Sequence, residues 1–303
     1  MKSLNHDQVF YAFAPNLKPR LTVDQHEEFV LNTCDCFANQ LGSDEDTLDN
    51  LDWDRINPAT GPVAIEGVKP GDVVRIDIKK LELTGKSVMT TIPGAGMISG
   101  ITEASTRVMG NDNGVLSVAT EKGDLLLPLK PMIGVIGLAP AEGSIPTGTP
   151  GKHGGNMDCN LIGEGASLYL QAAVDGGLFG CGDAHALMGD GEVLVCGAET
   201  PARVTLAASV VDVPQLPTPF VETEELYAAI ATAKTSDEAL KQAVDNMFDF
   251  LTGIAGLSQG DAGRLMSLVG NLKFCQVVDP EITVRFEFPK DVLSQLGFAG
   301  IGA

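Results

Sequence analysis

Residues 150–192 read PGKHGGNMDCNLIGEGASLYLQAAVDGGLFGCGDAHALMGDGE, and the fold and the site are both built around this stretch. It contains two of the four histidines, His153 and His185, together with several acidic residues that nearly all lie next to glycine. Glycine permits sharp turns and lets the backbone approach a ligand closely. Histidine combined with carboxylates is a common ligand set for Zn²⁺ and similar cations. The stretch therefore predicts a metal site on a glycine-rich β framework.

The spacing of the polar residues supports this interpretation. Asp183 and His185 are two residues apart, so on an extended strand their side chains face the same way. Asp190 and Glu192 repeat that spacing in a Gly-Asp-Gly turn. Each aspartate taken alone is also typical of a turn between strands. The concentration of histidines and acids in one stretch is what favours a metal held from two adjoining turns.

Two segments, PGKHGGNMD at 150–158 and GDAHALMGDGE at 182–192, resemble the paired signature of the acetamidase/formamidase family. The resemblance continues in NPATGPVAIEGVKPGDVV at 57–74, PMIGVIGLAPAEG at 131–143 and CQVVDPEITVRFEFPKDVL at 275–293, and so covers nearly the whole chain. It implies hydrolysis of short aliphatic amides such as formamide and acetamide to a carboxylate and ammonia. It also implies a mostly β scaffold with a bound divalent metal, and a homodimer.

The predicted metal ligands come from the signature and from one earlier strand. Asp35 follows an apolar strand, where a carboxylate must be exposed or paired, and in the family resemblance an acid at this place accompanies the metal signature. The predicted ligands are Asp35, His153, Asp158, Asp183, His185 and Glu192. Two histidines favour Zn²⁺ over Ca²⁺, which takes six or more oxygen ligands. We expect Zn²⁺, with Ca²⁺ as the alternative.

Three further residues are predicted to take part in catalysis. Glu142 follows the apolar segment 131–140, where desolvation can raise a carboxyl pKa toward the range of a general acid or base. From the residues alone, Glu142 could equally be a solvent-exposed turn residue. The family resemblance favours a role as a proton shuttle. Asp190 is a catalytic residue or an alternative ligand, and Asn156 offers an amide N–H to a developing oxyanion.

Two other functions remain open at this point. The chain could hydrolyse a cyclic imide or a related small carbonyl compound, or it could be a non-catalytic β-sandwich that binds a ligand and is stabilised by metal. A thiol mechanism through Cys159 or Cys181 is disfavoured, because buried cysteines are usually inert. Lys152 is moreover the only lysine in the stretch.

Composition excludes several classes of partner. The chain has 20 Lys and Arg against 40 Asp and Glu, a net charge of −20. Nucleic acids and anionic membranes require clustered basic residues, so neither is an expected partner. The sequence has no apolar run of membrane-spanning length and no apolar signal-peptide core, which predicts a cytoplasmic protein. Six scattered cysteines do not form a disulfide framework, and we expect free thiols.

The predicted fold is mostly β, a sandwich or barrel, with a smaller C-terminal α/β part, and α+β overall. Residues 74–78 and 282–288 alternate apolar and polar side chains, as half-buried strands do. The proline-rich segment 214–219 predicts a boundary between a β-rich domain, 1–214, that carries the site and a part, 215–303, with three helices. Capping signals at Thr235 and Ser258 predict two of the helix starts. We expect the strand at 282–288 to rejoin a sheet and pack the second part on the first.

Overall fold

The computed structural model describes residues 1–302, and 39% of the chain is strand and 14% helix. The predicted mostly β class is therefore confirmed. Numbered along the chain, the strands are β1 (Lys2–Leu4), β2 (Val9–Phe10), β3 (Ala12–Phe13), β4 (Leu21–Val23), β5 (Phe29–Thr33), β6 (Ala59–Ile65), β7 (Val73–Leu83), β8 (Ser87–Thr91), β9 (Ser105–Met109), β10 (Val115–Thr120), β11 (Gly123–Pro128), β12 (Met132–Gly137), β13 (Ile145–Pro146), β14 (Gly154–Asn156), β15 (Ser167–Gln171), β16 (Phe179–His185), β17 (Glu199–Thr200), β18 (Ala202–Val211), β19 (Phe220–Glu222), β20 (Leu226–Ala233), β21 (Asn271–Gln276) and β22 (Ile282–Pro289).

The strands form two large sheets and two small ones. Sheet A has the order β1-β5-β18-β7-β15-β19-β20-β22-β21. Sheet B has the order β14-β12-β16-β17-β8-β9, and its strand β16 also pairs with β6, which in turn pairs with β2 and β4. The hairpin β10–β11 and the pair β13–β3 are separate two-stranded sheets. Within the described residues the strands do not close into a barrel.

Sheets A and B enclose the main apolar core, as in a β-sandwich. The strand predicted at 74–78 is the middle of β7, and its residues Val74, Ile76 and Ile78 are buried in this core. Sheet B contributes Ile133 and Ile136 of β12 to the same core. The alternation in β7 follows from the two-residue period of a strand with one buried face. This packing holds sheet B, which carries the predicted site, firmly against sheet A.

The C-terminal residues extend sheet A and cover its other face with helices. Strand β22 pairs along its whole length with β20 and also with β21, so the expected return of this strand to a sheet is confirmed. The α-helices are α1 (Ser236–Asp249), which continues into a π-helical turn (Phe250–Ile254), α2 (Gln259–Val269) and α3 (Lys290–Gln295). Two short 3₁₀ helices occupy Leu48–Asn50 and Trp53–Arg55. Because sheet A runs unbroken past the proline-rich segment, the division at residue 214 stays a prediction.

The two predicted capping signals begin helices as expected. The Thr235 hydroxyl oxygen accepts a hydrogen bond from the backbone N–H of Glu238 at 3.3 Å, at the start of α1. Ser258 accepts from the N–H of Asp261 at 3.1 Å, at the start of α2. Met247 of α1 and Met266 of α2 pack into a second apolar core against sheet A. Across residues 1–302, every helix is too short or too polar to span a bilayer.

Candidate metal centre

Strand β16 places Asp183 and His185 at the middle of sheet B. It lies between β12 and β6, and its end pairs with β17, so all seven of its residues are buried. Glycine is required beside the two polar residues, because a Cβ on Gly182 would lie 2.1 Å from the carbonyl oxygen of Pro58. The glycine-rich sequence thus lets neighbouring backbone approach closely and leaves the site enclosed.

Six buried side chains form two adjoining groups of possible ligands. Asp158, His185 and Glu192 form one group, and Cys36, Asp183 and Glu199 form the other; in each group the ligand atoms lie within 4.8 Å of one another. His185 stands at the junction: its Nε2 is 3.0 Å from Glu199 Oε1, 3.4 Å from Asp183 Oδ1 and 3.9 Å from Asp158 Oδ1. We call these six residues the acidic cluster.

Gly134 of β12 forms the floor beneath two of the carboxylates. A Cβ at this position would lie 2.3 Å from Asp158 Oδ1 and 2.4 Å from Asp183 Oδ2. Both contacts are far shorter than atoms tolerate, so the two carboxylates can meet over β12 only because residue 134 has no side chain. Glycine in the apolar segment 131–140 is therefore part of the site.

Many polar atoms of the acidic cluster are buried with no hydrogen-bond partner. They are both carboxylate oxygens of Asp158, Asp183 Oδ1, Glu199 Oε2 and both ring nitrogens of His185. The 3.0 Å approach of His185 to Glu199 lacks hydrogen-bond geometry. A buried polar atom without a hydrogen-bond partner costs free energy, so such atoms are uncommon in folded proteins. Carboxylate, imidazole and thiolate donors converging on one enclosed place fit a divalent transition cation well.

The pKa values of the acidic cluster without a cation show that its buried carboxyl groups need a proton or a cation beside them. Burial raises the pKa of Asp158 well above its usual range, with a contribution from Glu192, whose own pKa burial also raises. Burial raises the pKa of Glu199 to about 8. Burial alone would lower the pKa of His185, but the carboxylates of Glu199 and Asp183 outweigh it and raise that pKa. A bound cation would take the place of these protons.

Three members of the acidic cluster have a strained backbone. Asp158, Asp183 and Glu192 have φ angles of 45°, 55° and 44°, in the left-handed region that residues with a side chain seldom occupy. Such conformations cost on the order of 1 kcal/mol each and persist where the surrounding structure imposes them, often at functional sites. The strain aims three carboxylates at one place, which a relaxed strand would not do.

Four of the predicted ligands, Asp158, Asp183, His185 and Glu192, are brought together in the cluster. His153 and Asp35 lie outside both groups. His153 carries a buried Nε2 without a partner, and burial lowers its pKa to about 4. Its backbone pairs with Leu138 whereas His185 pairs with Met132, so the two histidines lie about 20 Å apart along β12.

Asp35 and the predicted catalytic residues lie outside both groups of possible ligands. The Asp35 carboxylate accepts a hydrogen bond from the N–H of Asn39 at 2.7 Å, and burial raises its pKa to about 6. Glu142 is exposed in a bend after β12. Asn156 is buried and its Nδ2 donates to Asp279 at 2.9 Å. The roles predicted for these residues, and for His153, stay predictions.

Asp190 is held by an arginine from the C-terminal strand. Arg285, which is only 1% exposed, donates from Nη1 and Nη2 to the two Asp190 oxygens at 2.7 and 2.9 Å. Its Nε donates to Glu287 at 2.8 Å. The backbone N–H of Gly191 donates to Cys275 at 2.9 Å, so the turn that carries Glu192 is fastened to β21 and β22. The catalytic role predicted for Asp190 stays a prediction, and the observed contacts are those of an anchor.

Sequence reasoning missed Cys36, Glu199 and Asp279. Cys36 sits next to a predicted ligand, but a C-x-C pair is a weak motif and its thiol was expected only to be free. Glu199 lies in a two-residue strand, too short for a period to be recognised, and its apolar surroundings are the only signal. Asp279 reads as an ordinary Asp-Pro turn. It reaches the site because β21 and β22 bring that turn beside Asn156.

Replacing Gly134 with alanine is expected to reduce metal binding by at least about 100-fold. The added Cβ would displace the carboxylates of Asp158 and Asp183, and even outer supports of metal ligands matter by about 10–100-fold. The metal content of the purified variant measures the effect. Gly42→Ala, where a Cβ would meet nothing within 4 Å, is the matched control. Equal metal content in both variants would contradict the assigned role of Gly134.

Replacing Arg285 with methionine is expected to lower the free energy of unfolding by about 1–3 kcal/mol, because Asp190 and Glu287 lose charged hydrogen bonds while Glu287 keeps its ion pair with Lys273 at 3.0 Å. Urea denaturation measures the change. The control is Arg264→Met, which removes an exposed ion pair to Asp261 and should cost no more than about 0.5 kcal/mol. Similar losses in the two variants would show that the Arg285 network does not anchor this turn.

The fold and the cluster together define a β protein built mainly from two large sheets, with an enclosed set of buried side chains that could hold a metal ion. A model of the Acetamidase/Formamidase family matches residues 2–147 and 141–295. The chain belongs to the acetamidase/formamidase family.

Two solved structures and one curated enzyme are similar to the chain. A structure of a predicted acetamidase/formamidase from Thermoanaerobacter tengcongensis is 44% identical, with a TM-score of 0.93 and coverage of 99% of each chain. An acetamidase from Bacillus halodurans is 37% identical, with a TM-score of 0.93 over 97% of this chain and 99% of that one. The formamidase of Methylophilus methylotrophus is 23% identical over 248 residues, 63% of this chain and 61% of that enzyme. The matched part is therefore less than two thirds of the formamidase.

Proposed function

We propose that the protein is a metal-dependent amidohydrolase that converts primary amides to a carboxylate and ammonia. The observation that carries the proposal is the set of partnerless, fully buried donors in the acidic cluster of a family member. A cluster kept only for stability would have paired these groups with one another or replaced them with apolar residues.

The ligands that would hold the cation are Asp158, His185 and Glu192, with Asp183 of the adjoining group beside them, its Oδ1 3.4 Å from His185 Nε2. We propose Zn²⁺, because imidazole suits zinc better than calcium and the adjoining Cys36 thiol adds a soft donor. A zinc ion at such a site lowers the pKa of a water molecule to about 7 and polarises a carbonyl group.

The proton step is assigned to Glu199. Its Oε1 is fixed by the N–H of Gly197 at 2.9 Å, while its Oε2 is buried without a partner and free to receive a proton. Glu199 takes a proton from the attacking water and passes it to the departing nitrogen, which leaves as ammonia. Glu142, predicted earlier for this role, is exposed and would need to come within about 3 Å of the reacting atoms.

The test of the function is ammonia release from formamide, acetamide and longer primary amides, with succinimide as a cyclic comparison. Activity should disappear when a chelator removes the metal and return when Zn²⁺ is added. Glu199→Gln should lose at least about 100-fold in kcat, and Glu142→Gln should stay within a few-fold of the unmodified protein. Stoichiometric metal without ammonia from any amide would favour a metal-stabilised binding module and reject the proposal.

We also propose that the chain forms a homodimer, as the family resemblance implies. Leu125, Leu126 and Leu127 of β11 are exposed, and because side chains alternate along a strand they leave apolar side chains on both faces of this strand for a partner to cover. Sedimentation velocity measures the mass directly. Leu126→Ser should weaken the association if this strand forms the contact.

A further inference from the structure

An apolar cavity of about 350 Å³ adjoins the acidic cluster. It lies between the β10–β11 hairpin and the segment 187–198 that connects β16 to β17. Its wall is formed largely by Met89, Met109, Leu116, Leu187, Met188 and Leu194. Neither the ligands nor the proton step proposed above makes use of these side chains.

The cavity reaches the cluster through two of its wall residues. Glu192 belongs to both the wall and the cluster. Gly197 also lines the cavity, and a Cβ there would lie 3.0 Å from the ring of His185. The N–H of Gly197 donates to Glu199, the residue assigned to the proton step. A molecule at this end of the cavity therefore lies against Glu192 and Gly197, the residues next to His185 and Glu199.

The chemistry of the wall restricts the occupant. Asp190 and Glu192 are its charged members, and Asp190 is already paired with Arg285. An anionic acyl group would meet acidic residues at the cluster end and apolar side chains elsewhere, so it is excluded. Three methionines provide an adaptable apolar surface that accepts differently shaped carbon chains.

The size of the cavity distinguishes between short and long acyl groups. Small-molecule sites have volumes of about 300–1,000 Å³, and this cavity falls within that range. Formamide and acetamide offer at most one carbon beyond the carbonyl group, so they would leave nearly all of the cavity unfilled.

We infer that the preferred substrates are primary amides whose acyl group is an uncharged apolar chain or ring of several carbons. The acyl group occupies the cavity, and the amide group lies at the Glu192 end beside His185 and Glu199. This inference rests on the proposed amidohydrolase function and adds a substrate class to it.

The first test uses the unmodified, metal-loaded protein and a series from acetamide through butanamide and hexanamide to benzamide. Each added methylene that becomes buried should raise kcat/KM by about fourfold until the cavity is full. A flat or falling series, with acetamide still hydrolysed, overturns the substrate class and leaves the amidohydrolase function intact. Ammonia release from none of the amides would reject both.

A variant that fills the cavity tests its location. Val118 lines the cavity on β10, while Val115 on the same strand does not, and both are only partly buried. Val118→Trp should lower kcat/KM for hexanamide at least about tenfold more than it lowers kcat/KM for acetamide, because the buried methylenes lose their place. Val115→Trp, the matched control, should keep the full chain-length dependence. The same chain-length dependence in both variants would place the acyl group elsewhere.

Discussion

Replacing Asp158 with asparagine is expected to reduce ammonia release by more than about 100-fold and to remove most of the bound metal. Supports around metal ligands already matter by about 10–100-fold, and a direct ligand should exceed that range. Asp158 is the member of the cluster with both carboxylate oxygens buried and without a hydrogen-bond partner. When it is ionised, a bound cation is therefore the partner that would balance its charge. Ammonia assays and elemental analysis on the same preparation measure the two effects together.

The same substitution should leave the fold intact. Without metal, the variant is expected to be more stable than the unmodified protein at neutral pH, because asparagine removes the cost of protonating the buried Asp158 carboxyl, whose pKa burial raises. Asp212→Asn, at an exposed position, controls for the general effect of losing an aspartate. Full activity with normal metal content in Asp158→Asn would show that this residue is not a ligand.

The second large effect is expected in the pH dependence of the metal-free protein. Its free energy of unfolding should fall by several kcal/mol between pH 5 and pH 8. This size follows because the folded state holds on the order of one more proton than the unfolded state over that range. With saturating Zn²⁺ the dependence should reverse, because protons compete with the cation for the same ligands.

The sign follows from the direction of each pKa shift. Burial raises the folded-state pKa of Asp158 and Glu192, and that of Glu199 to about 8, so each is destabilising once pH exceeds its unfolded pKa. His185 also has a raised pKa, and its stabilising contribution is present below the unfolded value and is lost as pH rises through the folded one. Asp183 is shifted the other way, because His185 outweighs its burial, and it offsets part of the effect.

Urea denaturation at pH 5, 6, 7 and 8, with chelator and then with Zn²⁺, measures both curves. Glu192→Gln should flatten the metal-free curve, whereas Glu103→Gln, at an exposed position, should not. Parallel curves with and without metal would mean that the cation does not bind at these residues.

The sequence was most informative where local pattern and local geometry coincide. The two-residue spacing of Asp183 and His185 predicted side chains on one face, and both belong to a single buried strand. The alternation at 282–288 likewise predicted a strand, and β22 joins sheet A. The caps at Thr235 and Ser258 depend on residues three positions apart, which is why they could be recognised.

The remaining part of the site depends on contacts between distant residues. Glu199, Cys36 and Asp279 reach the same enclosed region from three separate elements, and nothing in their immediate sequence marks them as ligands. His153 was predicted as a ligand because it shares a glycine-rich signature with Asp158. The turn at Gly154 and Gly155 instead directs its backbone to the far end of β12. Tight turns separate His153 from Asp158, and the ligand role predicted for His153 stays a prediction.

Metal binding by the acidic cluster is tested most directly by a crystal structure of the active enzyme, with anomalous scattering measured on both sides of the zinc absorption edge. We predict a peak within the acidic cluster, about 2.0–2.2 Å from the His185 nitrogen and from carboxylate oxygens of Asp158 and Glu192. A preparation that releases ammonia from amides but shows no metal among these residues would contradict the account.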